Sequence, residues 1–187
     1  MAEEPVVYRI DAQDRIVSAG PAWDRFAVAN ASPHLVSEKI VSRSLWDFIT
    51  DTTTRLLYRD LLKRARAGNA LSFPFRCDSS ETRRFLEMTA NAAGDGSVEF
   101  KVRTLAVEKR APQPLLESGA RSAEPALRMC GWCKKMPVGD AWIEVEQAVA
   151  TLRLLEAPVL PAVSHGICED CERRMREVID RAAKPSN

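Results

Sequence analysis

Two cysteine pairs constrain this chain more than any other feature. Cys130-Gly-Trp-Cys133 and Cys168-Glu-Asp-Cys171 stand 34 residues apart in its last third. Each pair aims two thiolates at one point, and two pairs close a tetrahedron of sulfur. That geometry suits Zn²⁺, whose filled d shell imposes no preference of its own. Iron, alone or in an iron–sulfur cluster, is held by the same spacing and stays open as the alternative. His165, three residues before Cys168, is a fifth donor for a four-coordinate ion. It replaces one cysteine, hydrogen-bonds to a thiolate from outside, or is simply a turn residue. Four cysteines are the preferred set. With zinc that set is closed and leaves no open position for a substrate.

A dithiol enzyme is the competing reading of Cys130 and Cys133. It needs a strand before the pair and a helix that starts at the first cysteine. Lys134-Lys135-Met136-Pro137 breaks such a helix early, and no other catalytic constellation is visible, so no enzyme is expected. The start, Met-Ala-Glu-Glu-Pro, has no basic region and no apolar core of a leader. Apolar runs are cut by charge or proline, as at Arg153, Glu156 and Pro158, well short of a membrane span. The expectation is a cytoplasmic chain with no membrane partner and reduced thiols.

Charge weighs against nucleic acid. Lys plus Arg number 27 and Asp plus Glu 26 over 187 residues. The balance holds locally: Leu127 to Asn187 carries nine of each sign. Lys134-Lys135 and Arg173-Arg174 are small basic spots, whereas phosphate binding needs a larger cluster.

The last third is one unit, expected over 127–187. A short strand is expected at Trp142 and Ile143. A helix is expected over 144–156, with Val145, Val149, Leu152 and Leu155 on one side. A charged terminal helix is expected over 172–183, with Met175, Val178 and Ile179 apolar. With so few apolar residues the unit depends on its ion to fold. Before it, residues 109–126 are rich in Pro, Ser and Gly and read as a linker.

Residues 1–108 show mixed periodicity. Val6, Tyr8 and Ile10 alternate with polar neighbours, and Arg15 to Ser18 returns after a turn. Pro21 opens a helix with Trp23, Phe26 and Ala27 on one face. The stretch 30–41 is irregular. Ser44 and Asp47 resemble a capping box for a short turn. Asp51 caps a helix whose stripe is Leu57, Tyr58, Leu61, Leu62 and Ala65. Gly68-Asn69 ends it. Three strands follow, around Leu71 to Cys77, Phe85 to Ala90 and Val98 to Arg103. Pro74 demands an edge position. The result is α+β, a five-stranded antiparallel sheet with helices on one face, plus a small metal-stabilised, zinc-ribbon-like α/β module.

This order, with Val7-Tyr8-Arg9-Ile10-Asp11, Trp23-Asp24-Arg25-Phe26 and Ser44-Leu45-Trp46-Asp47-Phe48-Ile49, resembles PAS domains over roughly Val6 to Leu105. The resemblance implies a sensory or interaction module with strand order 2-1-5-4-3. The later string, Met129-Cys130-Gly131-Trp132-Cys133-Lys134-Lys135, then Trp142, then Ser164-His165-Gly166-Ile167-Cys168 and Cys171, is similar to a tail on bacterial PAS- and GAF-containing signalling proteins. It implies a signalling context and names neither the metal nor an activity.

PAS domains often hold a small molecule between sheet and helices. Tyr8, Trp23, Phe26, Trp46, Phe48, Leu57, Leu61, Phe73 and Phe85 are the candidates to line such a pocket, although a domain this size needs most of them as core. No flavin is expected, because Cys77 sits on a strand and Arg84-Phe85-Leu86-Glu87 has no cysteine before it. No haem is expected, because the histidine on that side is the loop residue His34. Cys77 reads as a small buried hydrophobe, and Arg83-Arg84 as a solvated face with at most an anionic ligand to read. The resulting expectation is a non-enzymatic bacterial signalling protein in which a ligand- or partner-binding PAS-like domain is coupled to a four-cysteine interaction module and an unidentified signalling partner. A thiol- or metal-based redox sensor and a zinc-ribbon nucleic-acid regulator are the alternatives. Many PAS domains dimerise through a helix before the first strand; here Met1 to Pro5 precede it, and that route is not expected.

Overall fold

The computed structural model describes residues 4–30, 32–117 and 121–183. Met1 to Glu3, and Ser118 and Gly119 of the expected linker, lie outside the described residues.

Strands β1 (Val6–Ile10) and β2 (Ile16–Ala19) form the opening hairpin. The Asp11 carboxylate closes it by accepting the backbone N–H groups of Gln13 at 2.9 Å and Arg15 at 2.8 Å. Helix α1 (Pro21–Ala29) starts on its proline. The stretch expected to be irregular contains a 3₁₀ turn at Pro33–Leu35 and the short helix α2 (Ser37–Ile40). The Asp24 carboxylate anchors it, accepting the Ser37 N–H at 2.6 Å and its hydroxyl at 2.7 Å. Ser44 accepts the Trp46 N–H at the turn Leu45–Asp47. Asp51 accepts the Thr54 N–H at 2.8 Å and opens α3 (Thr52–Arg66). Its stripe Leu57, Leu61, Leu62 and Ala65 is fully buried, and Gly68 beyond it takes φ +89°.

Strands β3 (Leu71–Arg76), β4 (Thr82–Ala92) and β5 (Val98–Lys109) complete a five-stranded sheet. Its order is β2-β1-β5-β4-β3 and every pairing is antiparallel. That is the order the PAS resemblance implies, and Pro74 sits on the edge strand as expected. Ile10, Phe73, Met88, Ala90, Val98 and Phe100 bury one face beneath the helices. β4 and β5 run several residues further than their alternating cores suggest, as a two-stranded ribbon pairing Thr82 with Lys109.

The C-terminal part contains β6 (Ser122–Cys130), β7 (Met136–Val138), β8 (Ala141–Ile143), α4 (Val145–Thr151), β9 (Pro161–Gly166) and α5 (Glu169–Arg181). β6 and β9 pair in parallel, and β7 and β8 form a hairpin. The helix expected over 144–156 is shorter. Glu144 is its N-cap, it ends at Thr151, and Arg153 at φ 52° turns the chain away. Ala148 joins Val145 and Val149 in the core, while Leu155 is 61% exposed. The terminal helix begins three residues earlier than expected, with Cys168 as its N-cap.

The expected linker follows a defined path. Pro114–Leu116 forms a 3₁₀ turn and Leu115 is buried against Met129, Met136 and Val145. Gln113 donates its backbone N–H to Ser80. The core does not stop there either. A single apolar cluster includes Phe73 and Leu61 from the sheet and α3, and Trp132, Cys130, Cys168, Met175 and Ile179 from the C-terminal part. α5 packs against α3 and β3.

Candidate metal centre and the cavities beside it

Parallel pairing of β6 and β9 brings their C-terminal ends to one place, and each end leads into a cysteine pair. The first pair is a tight turn: the Lys134 N–H donates to the Cys130 carbonyl at 3.0 Å and the Cys130 N–H donates to Lys135 at 2.8 Å. Lys134 takes φ 61°, and its ammonium folds back to the Gly131 carbonyl at 2.9 Å. The Gly131 N–H donates to Gly166 at 2.8 Å and ties that turn to the end of β9. The second pair is built differently: Cys168 is the N-cap residue of α5 and Cys171 stands in its first turn. The helix N-terminus directs partial positive charge at both sulfurs.

The Sγ atoms of Cys130, Cys133, Cys168 and Cys171 lie within 4.8 Å of one another. Cys133 Sγ and Cys168 Sγ are 3.7 Å apart. A tetrahedral ion with metal–sulfur bonds of about 2.3 Å has sulfur–sulfur edges of about 3.8 Å, so the four thiols fit a single ion. Their ionisation points the same way. Cys130 accepts hydrogen bonds from the Cys133 and Cys171 thiols, and also from the Cys168 N–H at 3.4 Å, which together hold its pKa far below the ordinary thiol value. Its presence pushes Cys133 up to about 12 and raises Cys171 as well. Four thiolates this close need a cation among them.

Among the described residues the ligand group consists of those four cysteines. His165 is outside it. It stands on β9 opposite Met129, and partial burial and the charge of Lys134 lower its pKa, with Cys130 opposing.

A second constellation, invisible in the sequence, joins the start of helix α4 to the sheet. Arg76 is buried at the end of β3. It pairs with Asp78 and, at 2.8 Å, with Glu144. Arg83 reaches Glu146 at 2.7 Å, and Arg110 bridges Asp78 and Glu146 at 3.2 Å each. Burial works against the charge of Arg76, but its bonds to Asp78 and Glu144 outweigh that and hold it protonated. Burial likewise opposes the charge of Glu146, and its own backbone N–H, Arg83 and Arg110 reverse the balance and lower its pKa. Arg83 is therefore not on the solvated face expected of it. Residues 68 positions apart carry the Arg76–Glu144 pair, so no local pattern announces it.

Two cavities flank this junction. One of about 260 Å³ is lined by Phe48 and Phe73 of the expected pocket, with Tyr58, Trp132 and His165. One of about 610 Å³ lies between α1 and the sheet, and Tyr8, Trp23 and Phe26 line it with Leu86 and Arg84. Phe75 and Met88 face both cavities. The other expected residues line neither. Leu57 and Leu61 are core. Trp46 donates its indole N–H to Asp14 at 2.9 Å. Phe85 is on the opposite sheet face from Leu86, paired in register with Arg76, whose guanidinium lies over its ring; period two forbids it the cavity. Cys77 is half-buried on the larger cavity's wall, where burial raises its pKa. His34 is exposed on its turn. Among the described residues no helix is long and apolar enough to cross a membrane.

No protein-family model matches the chain. No curated protein matches it. Among solved structures, the photoactive yellow protein domain of the sensor histidine kinase Ppr from Rhodospirillum centenum is similar at TM-score 0.41 and 13% identity, over 55% of this chain and 87% of that one. A sensory box sensor histidine kinase from Vibrio cholerae is similar at TM-score 0.38 and 10% identity, over 56% of this chain and 84% of that one.

Proposed function

We propose that this chain is a non-enzymatic sensory protein. In this reading its PAS-like sheet receives a ligand or partner, and a zinc ion on Cys130, Cys133, Cys168 and Cys171 fixes the C-terminal part as a docking module. One observation carries the proposal: the four sulfurs converge inside the same apolar cluster that fills the sheet. Bound zinc would supply structural cross-linking through four thiolates. The chain's own groups do the coupling. The Arg76 N–H donates to the Trp132 carbonyl at 2.7 Å, so the edge strand of the sheet continues directly into the first cysteine turn. Pro74 lies two residues back, at the equivalent outward position, where its missing N–H forfeits no ladder bond. A change in the sheet then reaches the module through β3. The output is a separate signalling protein in the cytoplasm, in keeping with the tail's likeness to bacterial signalling proteins.

Elemental analysis together with the visible spectrum tests the metal. One zinc per chain in colourless protein is expected; iron–sulfur, flavin or haem bands would overturn the assignment. Hydrogen exchange tests the coupling. Val98→Ala, in the sheet core away from the cysteines, should accelerate amide exchange in α5; unchanged exchange there would refute it.

A further inference from the structure

The larger cavity is lined by two side chains that each carry a buried polar atom with no hydrogen-bond partner among the described residues. Arg84 lies on β4 in phase with Leu86 and Met88, so the strand period turns it to the cavity face. Its Nη1 is buried and has no hydrogen-bond partner among the described residues. Asn30 ends α1 and lines the same cavity. Its Nδ2 donates to the Phe26 carbonyl at 2.7 Å, which fixes the amide orientation and leaves Oδ1 as an acceptor. That Oδ1 is also buried without a partner among the described residues. A cationic side chain on the sheet wall and a neutral amide on the helix wall thus line one space. Orphaned buried groups cost about 1–3 kcal/mol each, more when charged, and here both orphans belong to one cavity whose other walls are largely aromatic and aliphatic. Its volume, about 610 Å³, falls within the range of small-molecule sites. Glu4 and Arg25 also line it, but they are ion-paired with each other and exposed.

We propose that this cavity binds an organic carboxylate with a flat apolar body that also carries an N–H or O–H donor. The carboxylate is held by Arg84, the donor by Asn30 Oδ1, and the body by Tyr8, Trp23 and Phe26. The proposal rests on the sensory reading for its purpose and adds the ligand's chemical class. Phe75 and Met88, shared with the smaller cavity beside Trp132, place that ligand next to the junction.

Calorimetry of the full chain tests this with three probes: indole-3-propionate, its primary amide, and its 1-methyl derivative. The acid should bind at least tenfold more tightly than either of the others. Arg84→Gln should abolish the preference for acid over amide, and Arg84→Lys, which keeps the charge, should retain part of it. Equal affinity for acid and amide, no binding of the acid, or an undiminished preference in Arg84→Gln would overturn the assignment. Hydrogen exchange of α5 in the same samples separates this failure from that of the sensory reading. A tail that responds to the amide as well as to the acid leaves the sensory reading standing without the carboxylate; a tail indifferent to bound acid does the reverse.

Discussion

Trp132 sits inside the first cysteine turn, and its ring packs against Tyr58 and Phe73 with centroids 5.9 and 6.5 Å away. It is 9% exposed. Removing it should leave a cavity between the two parts, so Trp132→Ala is expected to cost about 3–5 kcal/mol in urea unfolding. A cost under about 1 kcal/mol would mean that the junction does not rest on this ring. Asp51→Ala should cost about 1 kcal/mol by the same measurement, because it removes one cap from an otherwise well-packed helix. At this scale the sequence reveals residues whose chemistry depends on short spacing. The cysteine pairs, the Asp51 cap and the edge proline are of that kind. Trp132 as a junction residue is not, because its partners come from α3 and β3, more than fifty residues earlier. Arg84 and Asn30 escape for the same reason: an unsatisfied atom is recognised only once its surroundings are known.

Helix α4 and the ends of β3 and β4 are joined by charge rather than by apolar contact. Arg76→Met removes the cation shared by Asp78 and Glu144 and leaves a carboxylate buried, which should cost about 3 kcal/mol. Chemical denaturation checks this, and an unchanged midpoint would show the pair to be incidental. Acid should loosen the same network. The folded pKa of Glu146 is below its ordinary 4.5, so its contribution is complete above that value and is lost as pH falls through the folded pKa. Hydrogen exchange at α4 should therefore rise as pH falls below 4.5 and through the folded pKa; Glu146→Gln should remove that pH dependence. Elements with strong periodicity, such as β1, α3 and β4, follow from residue pattern alone. α4 does not. Leu152 and Leu155 continue its apolar spacing, yet Arg153 adopts a left-handed conformation and Ala148 fills the buried position instead. Periodicity reports an available face; tertiary packing decides how much of it is used.

One apolar cluster runs from the sheet into the C-terminal part where composition suggests two separable parts, and a second, smaller one lies around Leu115 and Val145. Cys168→Ser should therefore destabilise the sheet as well as the module. Losing several kcal/mol in a chain of this size lowers Tm by about 10 °C, in one transition seen by both near- and far-ultraviolet dichroism. Two separate transitions would show independent parts. The α+β architecture was legible because hydrophobic alternation and the turn residues agree along the first hundred residues, whereas the strand order came from the resemblance to PAS domains, with Pro74 adding its edge position. The continuity was not, because the segment 109–126 has the composition of a tether, and Trp132, Met175 and Ile179 join the cluster of the sheet and α3 only through tertiary packing. Four sulfurs from two distant segments should bind one ion at this junction. X-ray absorption at the metal edge of the purified chain measures it most directly. A shell of four sulfurs at about 2.3 Å from a single zinc is expected; a nitrogen scatterer from His165, or no bound metal, would contradict it.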